Sequence, residues 1–360
     1  MQLKHLYQYN YFSLRSEQGA STLGAAFGSS KNLKALDISR NKGIGDAGMK
    51  ALCLAAHTSA GDSGSHPNFP ALIHLDISEC NVNDEGVVAL SHCLLGKKIG
   101  EMIESKSESI SYRAEGIHLN ASSNTLGPIG CTALASIFSV SIKGNSLLNT
   151  LNLNNCSIGD DGLKALVDSL KSVECGGGLK ILHLSNNKIG KAGAKVLGAA
   201  LNGNLMNLTE LCLSSNAIGQ EGVLGLGLDS EGCKKLSTLD LSKTNCGSEG
   251  ACSAINCHSL SSLRLFDNDL RCNGFESLMP QLHSGSSSVN SLDLGGNRAL
   301  DSAVAGILNS VLTCSTSSLR TLEIGGNEIG EKSENILKEI RSVCPELDIA
   351  HDRPNAKILK

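Results

Sequence analysis

Fourteen cysteines and ten histidines are the side chains here best suited to hold a metal ion or attack a substrate. Zinc sites space their cysteines in C-x-x-C pairs, and no such pair occurs. The tightest cluster, Cys246, Cys252 and Cys257, has the spacing of a turn followed by a helix. Cysteine packs readily as a small hydrophobe, so the cluster reads as core, with Cys252 buried beside Ala251 and Ala254. Of the histidines, His74, His118 and His183 fall on strand segments, at different register positions and without a carboxylate motif around them. The G-x-S-x-G, H-E-x-x-H and P-loop signatures are all missing. The glycine run at 174–178 precedes a strand and does not open a helix, so it fails as a phosphate cradle. No catalytic, cofactor or metal-binding residue is assigned, and the chain reads as a non-enzyme.

The elements that position these side chains come from an unusual composition. Of 360 residues 54 are leucine, aromatics are 3%, and there is no tryptophan. Most cores lean on aromatic rings; this one must rely on Leu, Ile, Val, Ala and Cys. A net charge of −4 argues against a partner such as nucleic acid or an anionic membrane. No apolar run approaches the roughly 18–20 residues of a membrane helix. The opening MQLKHLYQYNYFSL lacks the charged and apolar regions of a signal peptide. These features predict a protein that is not secreted and works in the cytoplasm or nucleus with free thiols. The sequons at Asn120 and Asn207 then read as accidental.

A repeat organises the chain. The unit Leu-x-x-Leu-x-Leu-x-x-Asn recurs ten times, from LKALDISRN ending at Asn41 to LRTLEIGGN ending at Asn327. The anchor residues are Asn41, Cys80, Asn124, Cys156, Asn187, Asn216, Thr244, Asn268, Asn297 and Asn327. They are 39, 44, 32, 31, 29, 28, 24, 29 and 30 residues apart. After the anchor comes a segment such as Ile158-Gly159-Asp160-Asp161-Gly162, then apolar residues at helical spacing, as in Leu163, Leu166, Val167 and Leu170. Each unit is predicted to be a short strand, a turn, an amphipathic helix and a return loop. Alternation along the strand sends Leu36 and Ile38 inward and Asp37 and Ser39 outward. The anchor amide is placed to satisfy backbone groups of neighbouring coils, a role that Cys80, Cys156 and Thr244 imitate in part.

The pattern LxxLxLxxN-x-IG-xx-Gxx-AL resembles the ribonuclease-inhibitor-like class of leucine-rich repeats over residues 33 to about 345. That resemblance implies an α/β fold: a right-handed solenoid, or horseshoe, with a parallel concave β-sheet and convex α-helices. The class includes inhibitors, cytoskeletal regulators, innate sensors and Ran GTPase-activating proteins. The irregular repeat lengths look more like cytoskeletal regulators of the actin capping-protein linker type than like the inhibitor, whose concave tryptophans are missing. The third repeat, LNASSNTLG, has no arginine beside Asn124, so no GTPase-activating residue carries over.

The concave face is legible by column. Between the strand leucines run Asp37, Asp76, Asn120, Asn152, His183, Cys212, Asp240, Arg264, Asp293 and Glu323. The next outward position holds serine, asparagine or glycine in every repeat but one, where Phe266 stands. The candidate protein-binding set is therefore Asp37, Asp76, His183, Asp240, Arg264, Phe266, Asp293 and Glu323. A mildly acidic column suits a partner with a basic or polar segment, and Arg264 with Phe266 is of the type enriched at hot spots. Solubility alone also asks for polar outward positions.

Residues 1–32 read as a degraded first coil, with Leu3 and Leu6 in strand places and Leu23 with Phe27 on a helix. The aromatics Tyr7, Tyr9, Tyr11 and Phe12 there suit either a cap over the first coil or a partner-binding patch. Ten repeats fill 33–343, and 344–360 form a half-repeat and tail. Two insertions interrupt the repeats. Residues 57–70 read as a flexible Gly/Ser/Pro loop, and the charge-dense 97–115 as a helix extension or disordered segment. The favoured function is a non-catalytic protein-interaction scaffold. A GTPase activator resembling the Ran-specific family, and a regulatory or sensor segment of a larger multidomain protein, are the alternatives.

Overall fold

The computed structural model describes residues 5–7, 16–27, 30, 32–59, 69, 71–96, 116–138, 141–142, 145–146, 148–170, 178–228, 230, 233–284, 287–314 and 318–351. They belong to two compact units, Met1–Lys188 with Gly203–Leu208, and Ile189–Asn202 with Thr209–Lys360.

In the first unit the chain runs β1 (His5–Tyr7), α1 (Glu17–Phe27), β2 (Ala35–Asp37), α2 (Gly45–Ser59), β3 (His74–Asp76), α3 (Asp84–Leu95) and β4 (Ile117–Asn120). It continues through α4 (Pro128–Phe138), β5 (Ser141–Ile142), β6 (Asn145–Ser146), β7 (Leu148–Asn152), α5 (Gly159–Leu170) and β8 (Ile181–His183). Parallel pairing follows the order β1-β2-β3-β4-β7-β8, with Leu36, Leu75, Leu119, Leu151 and Leu182 in direct register. All five are buried, each side chain contributing about 1.5–3 kcal/mol by leaving water. Consecutive helices from α1 to α5 pack on one another. An antiparallel hairpin, β5 with β6, interrupts the return from α4, and the register shifts between Ile117 and His118 where β4 meets β7.

The second unit repeats the scheme: α6 (Lys191–Leu201), β9 (Glu210–Cys212), α7 (Gly219–Gly225), β10 (Thr238–Asp240), α8 (Gly247–Ile255) and β11 (Ser262–Arg264). Then come α9 (Arg271–His283), β12 (Ser291–Asp293), α10 (Asp301–Thr313), β13 (Thr321–Glu323), α11 (Glu331–Val343) and β14 (Asp348–Ala350). Leu211, Leu239, Leu263, Leu292, Leu322 and Ile349 hold one register across six parallel strands. Helices α6 and α7 approach so closely that a Cβ on Gly198 would collide with the Gly225 carbonyl.

The anchor row joins coil to coil. Asn297 Nδ2 donates to Leu294 O of its own coil and to Leu265 O of the preceding one, both at 2.9 Å. Its Oδ1 accepts from Asn268 N at 2.8 Å and Leu270 N at 3.4 Å. Asn124 repeats the arrangement on Ala121 O, Ile77 O, Cys80 N and Val82 N. Cysteine reproduces only the donor half, as Cys80 Sγ gives to Ile38 O at 3.0 Å and Cys156 Sγ to Ala121 O at 3.3 Å. Burial pushes both thiols up, to about 11, so they stay protonated donors. The residue before each anchor is left-handed, with φ between +53° and +78° from Arg40 to Gly326. That turn swings the anchor side chain inward.

A second bridge runs between helices. Asp46 in α2 accepts from Asn83 N at 2.7 Å and Gly86 N at 3.0 Å at the start of α3. Asp84 in α3 accepts from Gly127 N ahead of α4 at 2.6 Å. In the second unit Asp301 of α10 accepts from Gly330 N, Ser333 N and Lys332 N at the start of α11. Each carboxylate thus takes up amides that a helix leaves without intrahelical acceptors.

Several expectations need correction. The loop assigned to 57–70 begins later, since α2 continues to Ser59. Phe69 is core, 2% exposed, because a phenylalanine ring is too large and apolar to leave in water. Cys252 is half-buried and not core; its Sγ donates across to Ser277 O at 3.3 Å. The insertion 97–115, residues 171–177 of the glycine loop, and Leu3, Tyr9, Tyr11 and Phe12 lie outside the described residues. Every described cysteine is a free thiol.

Two stability outcomes follow. Asn297→Ala strands buried donors and acceptors in two coils and is expected to cost at least about 2 kcal/mol. Cys156→Ala, which removes only a weak donor and a small volume, should cost clearly less; urea denaturation followed by circular dichroism compares them. For Asp301, burial pushes the carboxyl up, but the bonds from Ser333, Gly330 and Lys332 outweigh it and hold the group below its ordinary value. A depressed carboxylate stabilises above the unfolded value and loses that contribution as pH falls through the folded one. Asp301→Ala should therefore cost about 1 kcal/mol at neutral pH, and its difference from wild type should vanish in acid melts.

Candidate functional site

The outward positions of the strands form the candidate surface, and their chemistry starts with the turn that follows each strand. Asp37 Oδ1 accepts from Ser39 N at 2.9 Å, and Asp76 Oδ1 from Ser78 N at 2.9 Å and Ser78 Oγ at 2.6 Å. Asp240 Oδ1 accepts from Ser242 N, Asp293 Oδ1 from Gly295 N, and Glu323 Oε1 from Gly325 N, each at 2.9 Å. Asn120 and Asn152 accept in the same way from Ser122 N and Asn154 N. A short side-chain acceptor bonding the amide two residues on is an Asx turn. The acidic column thus has a local duty: it starts the turn that aims the anchor inward. The Asn120 amide is engaged at both ends, its Nδ2 donating to Asp76 Oδ2 at 2.9 Å.

Three residues in the column cannot accept in this way, or do so poorly. In the first unit His183 replaces the acceptor, and Ser185 N turns to Asn154 Oδ1 of the neighbouring coil at 2.7 Å. In the second unit Cys212 Sγ points to Asp240 Oδ2 at 3.5 Å. Arg264 lies between Asp240 and Asp293 in register. Its guanidinium is 3.8 Å from Asp240, and 58% of its side chain is exposed while Asp240 keeps only 14%. Beside it Phe266 is half-buried. The ring lies on the backbone of the next coil, where a Cβ on Gly296 would stand 2.9 Å from Cε2. Lys243 Nζ is 5.8 Å from the ring centroid and 3.9 Å from Asp267. Asp240, Arg264, Phe266, Asp293 and Glu323 are thus brought onto one face of the second unit; Asp37, Asp76 and His183 stand on the strand face of the first.

Sequence reasoning overlooked one pair. His74 and His118 share a register position, contrary to the expectation; each stands six residues before its anchor, Cys80 or Asn124, so the repeat itself aligns them. Their rings stack at 4.8 Å and 19°, and His118 Nδ1 meets Thr150 Oγ1 at 2.8 Å. Among the described residues no group of three or more His, Cys, Asp or Glu is arranged to hold a metal ion. Nor is any described helix long and apolar enough to cross a membrane.

Comparison with known proteins agrees with this geometry. A family model described as Leucine Rich repeat matches residues 29–53, 71–91, 144–167, 179–198 and 204–227. NACHT, LRR and PYD domains-containing protein 2 of Homo sapiens is 30% identical over 261 residues, covering 62% of this chain and 24% of that protein. The mouse NACHT, LRR and PYD domains-containing protein 14 is 30% identical over 269 residues, covering 73% and 25% respectively. Ribonuclease inhibitor of Sus scrofa is 30% identical over 222 residues, covering 60% and 46%. The matched region therefore spans about a quarter of the NACHT relatives and under half of the inhibitor. A solved internalin from Listeria monocytogenes covers 94% of this chain and 83% of its own at 16% identity, with a TM-score of 0.42. Given these repeats and the strand, turn and helix that each one folds into, the chain is built of leucine-rich repeats and is similar in them to ribonuclease inhibitor and to the NACHT, LRR and PYD proteins.

Proposed function

We propose that the chain is a non-catalytic protein-interaction scaffold that receives a protein partner on its strand faces and adjoining loops. One observation carries this: Arg264 exposes 58% of its side chain next to Phe266, at two positions where most other coils carry a turn-forming acceptor and a small residue. Neither substitution helps the turn. Arginine and aromatic residues together are the anchors that interfaces enrich. The relatives support the reading, since one carries the name of an inhibitor of ribonuclease, itself a protein. Asp37, Asp76 and His183 would be further contacts on the first unit, and Asp240, Asp293 and Glu323 on the second.

The similarity to a quarter of the NACHT, LRR and PYD proteins favours a second reading, in which these repeats are the regulatory or sensing segment of a larger protein. An antibody against the repeats should then detect a band of higher mass in cells. A band of only this chain's mass would remove that alternative.

The principal test is affinity purification with mass spectrometry under reducing conditions, comparing wild type with Arg264→Glu/Phe266→Ala. At least one partner should fall by about tenfold or more, the size expected when a hot-spot side chain is lost, with an unchanged melting temperature. Identical partner sets would remove this face from consideration.

A further inference from the structure

The second unit's strand face carries more negative than positive charge. On the strands and the turns after them stand Glu210, Asp240, Asp267, Asp293, Glu323 and Asp348, against Lys243 and Arg264, with Arg320 just ahead of β13. Two features make one part of this face distinct. Asp293 and Glu323 are direct register partners on β12 and β13, so their backbones are one strand spacing apart, roughly 4.8 Å. Each is oriented by its bond to the amide of Gly295 or Gly325. Those same glycines carry no side chain, so after β12 and β13 the outer column is bare backbone, walled on one side by the Phe266 ring over Gly296. Within this row the chain already lays one guanidinium on a carboxylate, Arg264 on Asp240 at 3.8 Å.

From this arrangement we infer that the face across β12 and β13 takes a cationic, extended segment of a partner protein. An Arg or Lys head lies on Asp293 and Glu323, and its apolar stem lies against Phe266. Long cationic side chains commonly cover apolar surface with their stems while the head stays wet. The bare glycines let the partner's backbone come close. Carboxylates already held by backbone amides lose little freedom on meeting a cation, and the surplus charge speeds encounter at low salt. This inference rests on the docking function proposed above and specifies the chemistry of what docks.

The test uses the full chain and a fluorescein-labelled peptide of alternating glycine and arginine, read by anisotropy at low and physiological salt. Asp293→Asn/Glu323→Gln keeps the acceptor oxygens that hold the turns and removes only charge. Glu331→Gln/Glu334→Gln removes the same charge from exposed positions on α11. The first variant should weaken binding by about fivefold or more and the second by less than about twofold. A matched glycine–glutamate peptide should not bind. Equal weakening by both variants, or none by the first, overturns the inference. Should the Arg264→Glu/Phe266→Ala variant still lose its partners in that case, docking stands and only the cationic chemistry falls.

Discussion

A strand of three residues has almost no ladder of its own, and the chain that leaves it turns at once toward the core. Backbone amides and carbonyls at that turn are buried, and an unmet one costs about 1–3 kcal/mol. The anchor asparagine resolves this by donating and accepting across two coils, as Asn297 does with Leu265, Leu294, Asn268 and Leu270. Everything else depends on that bridge. It fixes the distance between coils, and with it the register of the leucines. It requires a left-handed residue immediately before it, and the chain adopts that conformation even at Arg40, Glu79 and Lys243, where a side chain costs about 1–2 kcal/mol. The bridge also tolerates partial substitutes, because the donor half alone can be met by a thiol or a hydroxyl. Thr244 shows this by donating to Leu241 O at 2.6 Å.

The same constraint reaches the surface. To aim the anchor inward the turn needs an acceptor two residues before its first amide, and aspartate and asparagine meet that need best. An acidic outer column is therefore a by-product of the turn as much as a recognition device. Information about partners lies in departures from the column, and in the charge left over once the turns are served. Arg264 and Phe266 depart without giving the turn anything, whereas Asp37 and Asp76 serve it directly.

The periodic part of the structure was open to sequence reading because its physics is periodic. Leucine positions, anchors, inward Leu36 and Ile38, and outward Asp37 and Ser39 all follow from one nine-residue unit repeated. What escaped depends on contact between coils of unequal length. His74 and His118 each stand six residues before their anchors, so the repeat does place them side by side; only the stacking of their rings needs the structure. Phe69 closes the end of an insertion whose composition resembles solvent-exposed loop. The antiparallel pair of Ser141–Ile142 with Asn145–Ser146 has no counterpart in other repeats among the described residues to betray it. The helix bridges from Asp46, Asp84 and Asp301 look, in one dimension, like ordinary acidic first turns. Only the next coil reveals that they serve its amides.

In stacked repeats stability is approximately the sum of each coil and its contacts with its neighbours. Here those contacts include leucines in register, the anchor row, and the carboxylates between helices. None of the three uses the outermost atoms of the strand face. Substitution there leaves these three terms intact, so the face can diverge in shape and charge while the fold persists. The exposed guanidinium of Arg264, the Phe266 ring bedded on Gly296, and the bare glycines at 295 and 325 are divergences of that kind. They stand on or just after β11, β12 and β13, each paired with a strand on both sides. Rigid support under variable side chains is the combination that recognition of another protein requires.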